Sequence, residues 1–202
     1  MWLLLAGLLG ATAHAQEDAE RARAVFAAGC FWCVESAFEG HDGVLEVVSG
    51  YTAGHVANPT YLQVGSGRTG HTEAIRVEYD PRRVSFDDLL YVFWRNVDPF
   101  DGEGQFCDRG SQYRPGIYWT TPAQRQAAES SAETVRKRFK KSVAVEIKEA
   151  GTFYDAESYH QDYAARNPVR YSYYRWSCGR DKRLKELWGD EAKSHGPPPG
   201  VR

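Results

Sequence analysis

Short apolar runs and helical patterns alternate along this chain, and their order limits its fold more than any other feature. Runs with the composition of strands lie at residues 23–29, 43–51, 71–79, 116–120 and 143–149. Patterns typical of helices lie between them at 31–38, 85–96 and 121–140. The resulting order, β-α-β-β-α-β-α-β, predicts an α+β fold with a mixed or antiparallel sheet and helices on one face.

The two ends of the chain lie outside this pattern. Residues 1–15 hold an apolar run followed by Ala13-His14-Ala15, which is typical of a secretory signal peptide and its cleavage site, although no Lys or Arg precedes the run. Residues 190–202, with three consecutive prolines, are predicted to form a flexible tail. We therefore expect a single domain over residues 16–189, exported from a bacterial cytoplasm to the periplasm or out of the cell.

Composition excludes several classes of protein. The 202 residues contain 25 Lys and Arg against 27 Asp and Glu, and the net charge of −2 does not suit a chain that coats nucleic acid. The longest apolar run, Trp2 to Ala13, is too short to span a bilayer, so we expect no stable membrane association. Four cysteines are too few for a small disulfide-built scaffold, although an exported chain permits disulfides.

Cys30 stands where a predicted strand gives way to a predicted helix, directly after Gly29. Backbone N–H groups and the dipole at a helix start both favour a thiolate, so Cys30 is a candidate reactive thiol, although a buried structural cysteine fits the position equally well. Cys30 and Cys33 form a C-x-x-C pair with three interpretations: a thioredoxin-like redox site, half of a zinc site, or a nucleophile beside a resolving thiol. The pair alone does not decide between them.

Several further motifs belong to one recognisable pattern. They are Gly29-Cys30-Phe31-Trp32 with Glu35, Ser49-Gly50-Tyr51, Asn58 to Val64, Thr69 to Glu73, Asp98-Pro99, Asp108 to Arg114 and Phe153 to Gln161. In this order the motifs resemble those of the class A peptide methionine sulfoxide reductases, and the resemblance covers residues 23–170. It implies an α+β fold around a split βαβ, ferredoxin-like core, and the activity of a thiol-dependent peptide-methionine (S)-S-oxide reductase.

The resemblance also implies roles for individual residues. Cys30 is then the nucleophile that attacks the sulfoxide sulfur and becomes a sulfenic acid, while Phe31 and Trp32 form the pocket for the substrate methyl group. Glu73 is the acid that protonates the sulfoxide oxygen, which requires burial to raise the pKa of its carboxyl. The remaining catalytic residues, which bind the oxygen or line the pocket, are Tyr61, Tyr113 and Asp108.

Recycling of Cys30 needs a second thiol and an external reductant. Relatives often place the resolving cysteine just after an Asn-Pro-x-Gly-Tyr motif, but the spacing after Asn167-Pro168 differs here, so we rank Cys33 first, Cys178 second and Cys107 third. We expect an intramolecular disulfide that thioredoxin or a thioredoxin-like protein reduces, with no cofactor and no metal. Oxidised proteins and free methionine sulfoxide are the expected substrates, and a monomer is the expected state. The alternatives are a thioredoxin-like thiol-disulfide oxidoreductase that uses Cys30 and Cys33, and a non-enzymatic zinc module.

Overall fold

The computed structural model of the protein describes residues 21–192, so the predicted signal peptide and residues 193–202 lie outside the described range. The strands are β1 (Ala22–Ala27), β2 (Val44–Thr52), β3 (Thr72–Tyr79), β4 (Gly104–Gln105), β5 (Asp108–Arg109), β6 (Gly116–Trp119), β7 (Glu146–Glu149) and β8 (Tyr154–Asp155). The helices are α1 (Phe31–Phe38), α2 (Tyr61–Gly65), α3 (Phe86–Arg95), α4 (Pro122–Phe139), α5 (Tyr163–Arg166), α6 (Pro168–Ser177) and α7 (Arg180–Trp188). None of these described helices combines the length and the apolar character needed to cross a membrane.

Six of these strands form one sheet, in the order β7-β6-β1-β3-β2-β8. β1 lies inside the sheet and pairs antiparallel with both β3 and β6, whereas β6 and β7 run parallel. β2 pairs antiparallel with β3 and with β8. The sheet is therefore mixed and the fold is α+β, which confirms the class that the sequence predicts.

The two faces of the sheet are covered differently. Ala24 and Phe26 of β1 point into the main core, which also contains side chains of α1, α3, α4 and α7. Val25 and Ala27 alternate to the opposite face and join a smaller cluster built from strands and the segment 150–153. The helices of the main core thus pack on one face of the sheet, as expected.

Side-chain caps account for the two predicted helix starts at α3 and α4. Ser85 Oγ accepts the N–H of Asp88 at 3.1 Å, and the Asp88 carboxylate accepts the N–H of Ser85 at 3.1 Å. This capping box satisfies two backbone donors that a helix start leaves without partners. At α4, Thr121 Oγ1 accepts the N–H of Gln124 at 3.2 Å, and Pro122 occupies the first helical position, where its missing N–H costs nothing.

The structure adds elements that the sequence analysis leaves out. The predicted long loop 98–115 contains the hairpin of β4 and β5, and three helices, α5 to α7, follow residue 160. Gly179 has a φ of +68° and reverses the chain between α6 and α7. Glu191 lies two residues beyond the predicted end of the domain, and its carboxylate pairs with Arg95 and Arg138 at 2.5 and 2.7 Å.

Candidate active site

Cys30 lies at the N-cap of α1, three residues after β1 ends. The intervening Gly29 has a φ of +85°, and a Cβ added there would lie 2.6 Å from the Cβ of Gln105. Glycine is therefore required for this turn, both for its backbone conformation and for the space. The turn places Cys30 at the edge of the main core, where its side chain is 6% exposed.

The Cys33 side chain lies against Cys30, is 2% exposed, and shares a hydrogen bond with it. Burial raises the pKa of the Cys30 thiol, and Cys33 and Glu73 raise it further. Burial therefore opposes the effect that the sequence analysis expects from the helix start. The hydrogen bond from Cys30 lowers the pKa of Cys33 against the effect of burial, and the charge of Arg180 lowers it further.

Glu73 reaches the same point from the sheet. It lies on β3 opposite Tyr51 of β2, is 2% exposed, and its Oε2 accepts the N–H of Phe31 at 3.0 Å. Burial raises the pKa of Glu73 to about 8, although the hydrogen bond from Phe31 opposes the shift. The carboxyl is therefore neutral at pH 7 and can donate a proton.

Two phenols face this carboxyl from separate elements. Burial and then the charge of Glu73 raise the pKa of Tyr61 to about 12, and the same two causes raise the pKa of Tyr113 above its usual range. Both hydroxyls therefore stay protonated and can donate hydrogen bonds. Tyr61 begins α2, and its N–H donates to the carboxylate of Glu157 at 2.8 Å.

An aromatic wall flanks the thiol on α1. Phe31 is 1% exposed, and its ring centroid lies 6.4 Å from that of Tyr61 and 4.9 Å from that of His160. Trp32 stacks on Tyr163 with centroids 3.6 Å apart, and its Nε1–H donates to His160 Nδ1 at 3.0 Å. These contacts fix both rings, and they form an apolar surface suited to a thioether methyl group.

Tyr174 is a site residue that the sequence analysis does not identify. Its hydroxyl donates to Asp108 Oδ2 at 2.6 Å and also lies within hydrogen-bonding reach of the Cys30 thiol. It therefore connects Asp108 of the long loop to the nucleophile. Tyr171, Tyr174 and Cys178 are spaced as residues on one face of a helix that begins at Pro168. This pattern in the sequence places Tyr174 on the same helix face as Cys178.

The chain that carries this site is similar to known proteins. Residues 22–192 match the family described as peptide methionine sulfoxide reductase. The chain belongs to this family. Peptide methionine sulfoxide reductase MsrA 2 of Caulobacter vibrioides is 54% identical over 183 residues, which are 90% of this chain and 93% of that protein. Peptide methionine sulfoxide reductase MsrA of Bacillus licheniformis is 45% identical over 172 residues, 84% and 95% of the two chains.

Solved structures of peptide methionine sulfoxide reductases share the fold. Methionine sulfoxide reductase A of Corynebacterium diphtheriae gives a TM-score of 0.68 at 34% identity, covering 74% of this chain and 76% of that one. The reduced form of Mxr1 from Saccharomyces cerevisiae gives a TM-score of 0.72 at 29% identity, covering 75% and 88%. Mxr1 has also been solved in complex with Trx2.

Two cysteines of this peptide methionine sulfoxide reductase pair outside the buried site. Cys107 and Cys178, 71 residues apart in sequence, form a disulfide, in which Cys107 is exposed and Cys178 is half-buried. Cys178 Sγ lies 3.9 Å from Asp108 Oδ2. The two sulfurs and a carboxylate oxygen of Asp108 lie within 4.8 Å of one another, a spacing at which three ligands could share a metal ion. Sulfurs joined in a disulfide, however, are not the thiolates that bind metals.

The structure thus brings the predicted catalytic residues together and divides the three candidate resolving cysteines. Glu73, Tyr61 and Tyr113 lie close enough to both Cys30 and Asp108 for their pKa values to be coupled, and Tyr174 joins Cys30 to Asp108. Of the resolving candidates, Cys33 lies against the nucleophile, whereas the other two are bonded to each other.

Proposed function

We propose that this chain reduces methionine sulfoxide in oxidised proteins, and as the free amino acid, with Cys30 as the nucleophile and Glu73 as the proton donor. The observation that carries the assignment is the meeting of a buried thiol and a neutral, buried carboxyl at the start of α1. The N–H of Phe31 joins them, because it follows Cys30 in the chain and donates to Glu73 at 3.0 Å. Disulfide exchange by a thioredoxin-like protein has no leaving oxygen and needs no such acid.

The first step transfers an oxygen atom. The sulfur of Cys30 attacks the sulfoxide sulfur while the Glu73 carboxyl gives its proton to the oxygen. A bond forms between the two sulfurs, and the oxygen then passes to the sulfur of Cys30 as this S–S bond and the S–O bond of the substrate break. Cys30 becomes a sulfenic acid, methionine leaves as a thioether, and the S–H proton of Cys30 makes up the proton that Glu73 gave. Hydrogen bonds from Tyr61 and Tyr113 to the oxygen are each worth roughly 2–4 kcal/mol if they act as donors do in oxyanion sites. Thiol and sulfoxide become sulfenic acid and thioether with no net change in protons.

The site is chiral, and this makes the assignment testable. Hydrogen bonds from Glu73 and the two phenols would hold the oxygen of a bound sulfoxide, and the rings of Phe31 and Trp32 would hold its methyl group, so only one arrangement about the sulfur satisfies both. We expect the S epimer to be consumed and the R epimer to persist when each is supplied with dithiothreitol as reductant. Equal consumption of the two epimers would contradict the assignment.

The two cysteine pairs support a two-stage resolution of the sulfenic acid. The thiol of Cys33 attacks the sulfur of Cys30, the S–S bond forms, and the hydroxyl leaves as water with the proton of Cys33. A dithiol made of Cys107 and Cys178 then exchanges with this disulfide, which returns Cys30 and Cys33 to thiols and leaves Cys107 and Cys178 oxidised. The pairing in the structure is the one that this sequence of steps ends on.

Trapping the intermediate tests this order. With thioredoxin as reductant, Cys33→Ser is expected to release one methionine per enzyme and to accumulate a sulfenic acid on Cys30, and dithiothreitol partly rescues it. Cys178→Ser is expected to accumulate the disulfide of Cys30 and Cys33 instead. If Cys33→Ser turns over normally and Cys178→Ser accumulates the sulfenic acid, Cys178 is the direct resolving residue.

A thioredoxin-like protein is the proposed reductant, with no bound cofactor, because thiols and one carboxyl supply every group that the steps require. The exposed sulfur of Cys107 is the point that an external thiolate can attack, with Cys178 as the leaving group. The N–H of Cys107 lies 3.2 Å from Cys178 Sγ and would stabilise the departing thiolate. The complex of the yeast relative Mxr1 with Trx2 supports this type of partner.

We also propose that the enzyme is exported and acts as a monomer in the periplasm or outside the cell, and the predicted signal peptide over residues 1–15 supports this location. Cell fractionation of the full chain, with the mature N-terminus determined by mass spectrometry, tests the proposal. A mature chain that begins near Gln16 in the periplasmic fraction is expected. Retention of Met1 in a cytoplasmic protein would contradict it.

A further inference from the structure

Cys107, Asp108 and Cys178 form a cluster where the hairpin of β4 and β5 meets the end of α6. Their two sulfurs and one carboxylate oxygen lie within 4.8 Å of one another. Oδ1 of Asp108 lies 3.8 Å from the sulfur of Cys107, and Oδ2 lies 3.9 Å from the sulfur of Cys178. Cys107 is exposed and the other two residues are half-buried, so a small ion from solvent can reach the cluster.

The cluster has the spacing of a tetrahedral zinc site once its disulfide is open. With Zn–S bonds of about 2.3 Å and Zn–O bonds of about 2.1 Å, a sulfur and an oxygen ligand stand roughly 3.6 Å apart. The distances from the Asp108 oxygens to the two sulfurs are already close to this value. Two thiolates on one zinc ion stand roughly 3.8 Å apart. The Cα atoms of Cys107 and Cys178 are 4.9 Å apart, so rotation about the Cα–Cβ bonds is enough to reach that separation.

Neighbouring groups hold the three side chains as outer-shell partners hold the ligands of a metal. The hydroxyl of Tyr174 donates to Oδ2 of Asp108 at 2.6 Å, which leaves Oδ1 directed toward Cys107. The N–H of Cys107 donates to the sulfur of Cys178 at 3.2 Å, and a thiolate accepts such a bond more strongly than a neutral sulfur does. The carboxylate and one sulfur are therefore oriented before any ion binds.

The chemistry of the ligands selects the ion. Two thiolates and a carboxylate suit Zn²⁺ and disfavour Mg²⁺ and Ca²⁺, which take oxygen ligands. The guanidinium of Arg180 lies 4.4 Å from the ring of Phe106, the residue before Cys107, and its charge offsets only part of the charge of three anionic ligands. A divalent cation neutralises the rest. Among the described residues the buried pair Cys30 and Cys33 has no third ligand atom at this spacing.

We propose that opening the Cys107–Cys178 disulfide creates a zinc site, with the two thiolates, Asp108 and a water molecule as ligands, and that bound zinc withholds this dithiol from recycling. A dithiol reductant supplies the two electrons and two protons that convert the disulfide to thiols. Both thiols release their protons to solvent as Zn²⁺ binds, and no atom changes oxidation state in that step. Thiolates held on zinc do not attack the disulfide of Cys30 and Cys33, and this second half of the proposal rests on the proposed function.

Co²⁺ and Zn²⁺ alone test the site in the full chain, and no turnover is needed. Co²⁺ bound to thiolates in a tetrahedral site absorbs strongly, and Zn²⁺ added afterwards removes the bands. One equivalent should bind after reduction with a phosphine, and none while the disulfide is intact. Cys178→Ser removes a ligand and should weaken binding by more than the roughly 100-fold that loss of an outer-shell partner costs at most. Asp108→Ala should weaken binding by about tenfold or more.

Cys33→Ser and Asp101→Ala are the matched controls. Cys33→Ser removes a thiol of the buried pair, and Asp101→Ala removes a carboxylate of the same loop that pairs with Arg109 at 3.1 Å. Both variants should bind Zn²⁺ as the wild type does. Equal losses in Cys33→Ser and Cys178→Ser would overturn the proposal, and so would wild-type binding in Asp108→Ala.

Alkylation of the reduced wild type covers the case in which a variant does not fold. Zn²⁺ should slow the alkylation of Cys107 and Cys178, which mass spectrometry follows residue by residue, and unchanged rates would overturn the site. Turnover with thioredoxin should be lost at saturating Zn²⁺ and return with a chelator, while the first methionine is still formed. Unchanged turnover would overturn the effect on recycling. A wild type that forms no methionine without Zn²⁺ would overturn the proposed function and leave the binding result standing.

Discussion

The buried pair Cys30/Cys33 and the bonded pair Cys107/Cys178 differ in burial, in oxidation state and in the groups around their sulfurs. The first pair consists of free thiols that are 6% and 2% exposed, at the start of a helix and beside a neutral carboxyl. The second is a disulfide that joins a long loop to the end of α6, with one sulfur at the surface. The comparison indicates that one region handles the substrate oxygen and the other meets the reductant.

Burial explains why the two tasks are separated. A sulfenic acid that forms inside the protein is protected from further oxidation and from stray thiols, but a protein reductant cannot reach it. An exposed disulfide is accessible, but a thiol at that surface would lack the apolar wall and the neutral acid that oxygen transfer needs. The hydroxyl of Tyr174, between Asp108 and Cys30, is the contact through which the two regions meet.

The most severe way to break the comparison is to remove one thiol from each region. Cys30→Ser is expected to abolish methionine formation even in a single turnover, because the sulfur that attacks the sulfoxide is then missing. Cys107→Ser should leave the first turnover intact, since its sulfur lies outside the buried site. Quenched single-turnover assays of the two variants measure this. A first turnover in Cys30→Ser would remove that residue from the mechanism.

Replacement of the proton donor comes next in size. Glu73→Gln keeps the shape of the side chain but removes the transferable proton, so single-turnover methionine formation should slow by about 10²–10⁴-fold. The deficit should shrink at low pH, where solvent supplies the proton. In the wild type the rate should fall as pH rises through about 8, because the carboxyl then ionises.

The Glu73 carboxyl also affects stability, and the pH dependence of its contribution is opposite in sign to that of an ion-paired acid. The pKa of Glu73 is raised on folding, so its contribution to stability is fully present below the unfolded pKa and is lost as pH rises through about 8. Urea unfolding should be measured between pH 6 and 9, a range that extends roughly one unit or more on each side of the raised pKa. The free energy of unfolding should fall more steeply with pH for the wild type than for Glu73→Gln. Equal slopes, with near-normal single-turnover rates in Glu73→Gln, would remove Glu73 from the mechanism.

Tyr174→Phe tests the contact between the two regions and should have a smaller effect. The hydroxyl stabilises the sulfur of Cys30 as it gains negative charge, and a hydrogen bond to a charged group is worth about 1.5–3 kcal/mol. We expect single turnover to slow by about tenfold, which corresponds to the lower end of that range. Tyr173→Phe, at an exposed neighbouring position on α6, is the control and should be neutral. Equal rates for both variants would show that Tyr174 serves Asp108 alone.

Particular residues show how far the sequence alone could lead. Strand and helix order, the caps at Ser85 and Thr121, and the cluster around Cys30 follow from local patterns and ordered motifs, because each signal lies within a few residues. The spacing places Tyr174 on a helix face, but its contacts with Asp108 and Cys30 depend on how α6 packs. Arg180 reaches the turn at Gly29 only through the packing of α7. The pairing of Cys107 with Cys178 depends on the packing of α6 against the long loop, and spacing along the chain cannot reveal it.

The smallest expected effect on chemistry, and the sharpest separation of the two regions, comes from removing the exposed disulfide altogether. The double variant Cys107→Ser/Cys178→Ser should form the first methionine at the wild-type rate, because the groups around Cys30 and Glu73 are unchanged. Its stability should nevertheless fall: the bridge closes a loop across a sequence separation of 71 residues, and such a loop closure contributes about 2–4 kcal/mol by restricting the unfolded chain. Urea unfolding beside single-turnover kinetics measures both quantities on the same samples, and reduced wild-type enzyme is the control for the bond itself. A double variant that loses its first turnover while remaining folded would mean that the disulfide holds Tyr174 in place for the chemistry, and the division between the two regions would then be wrong.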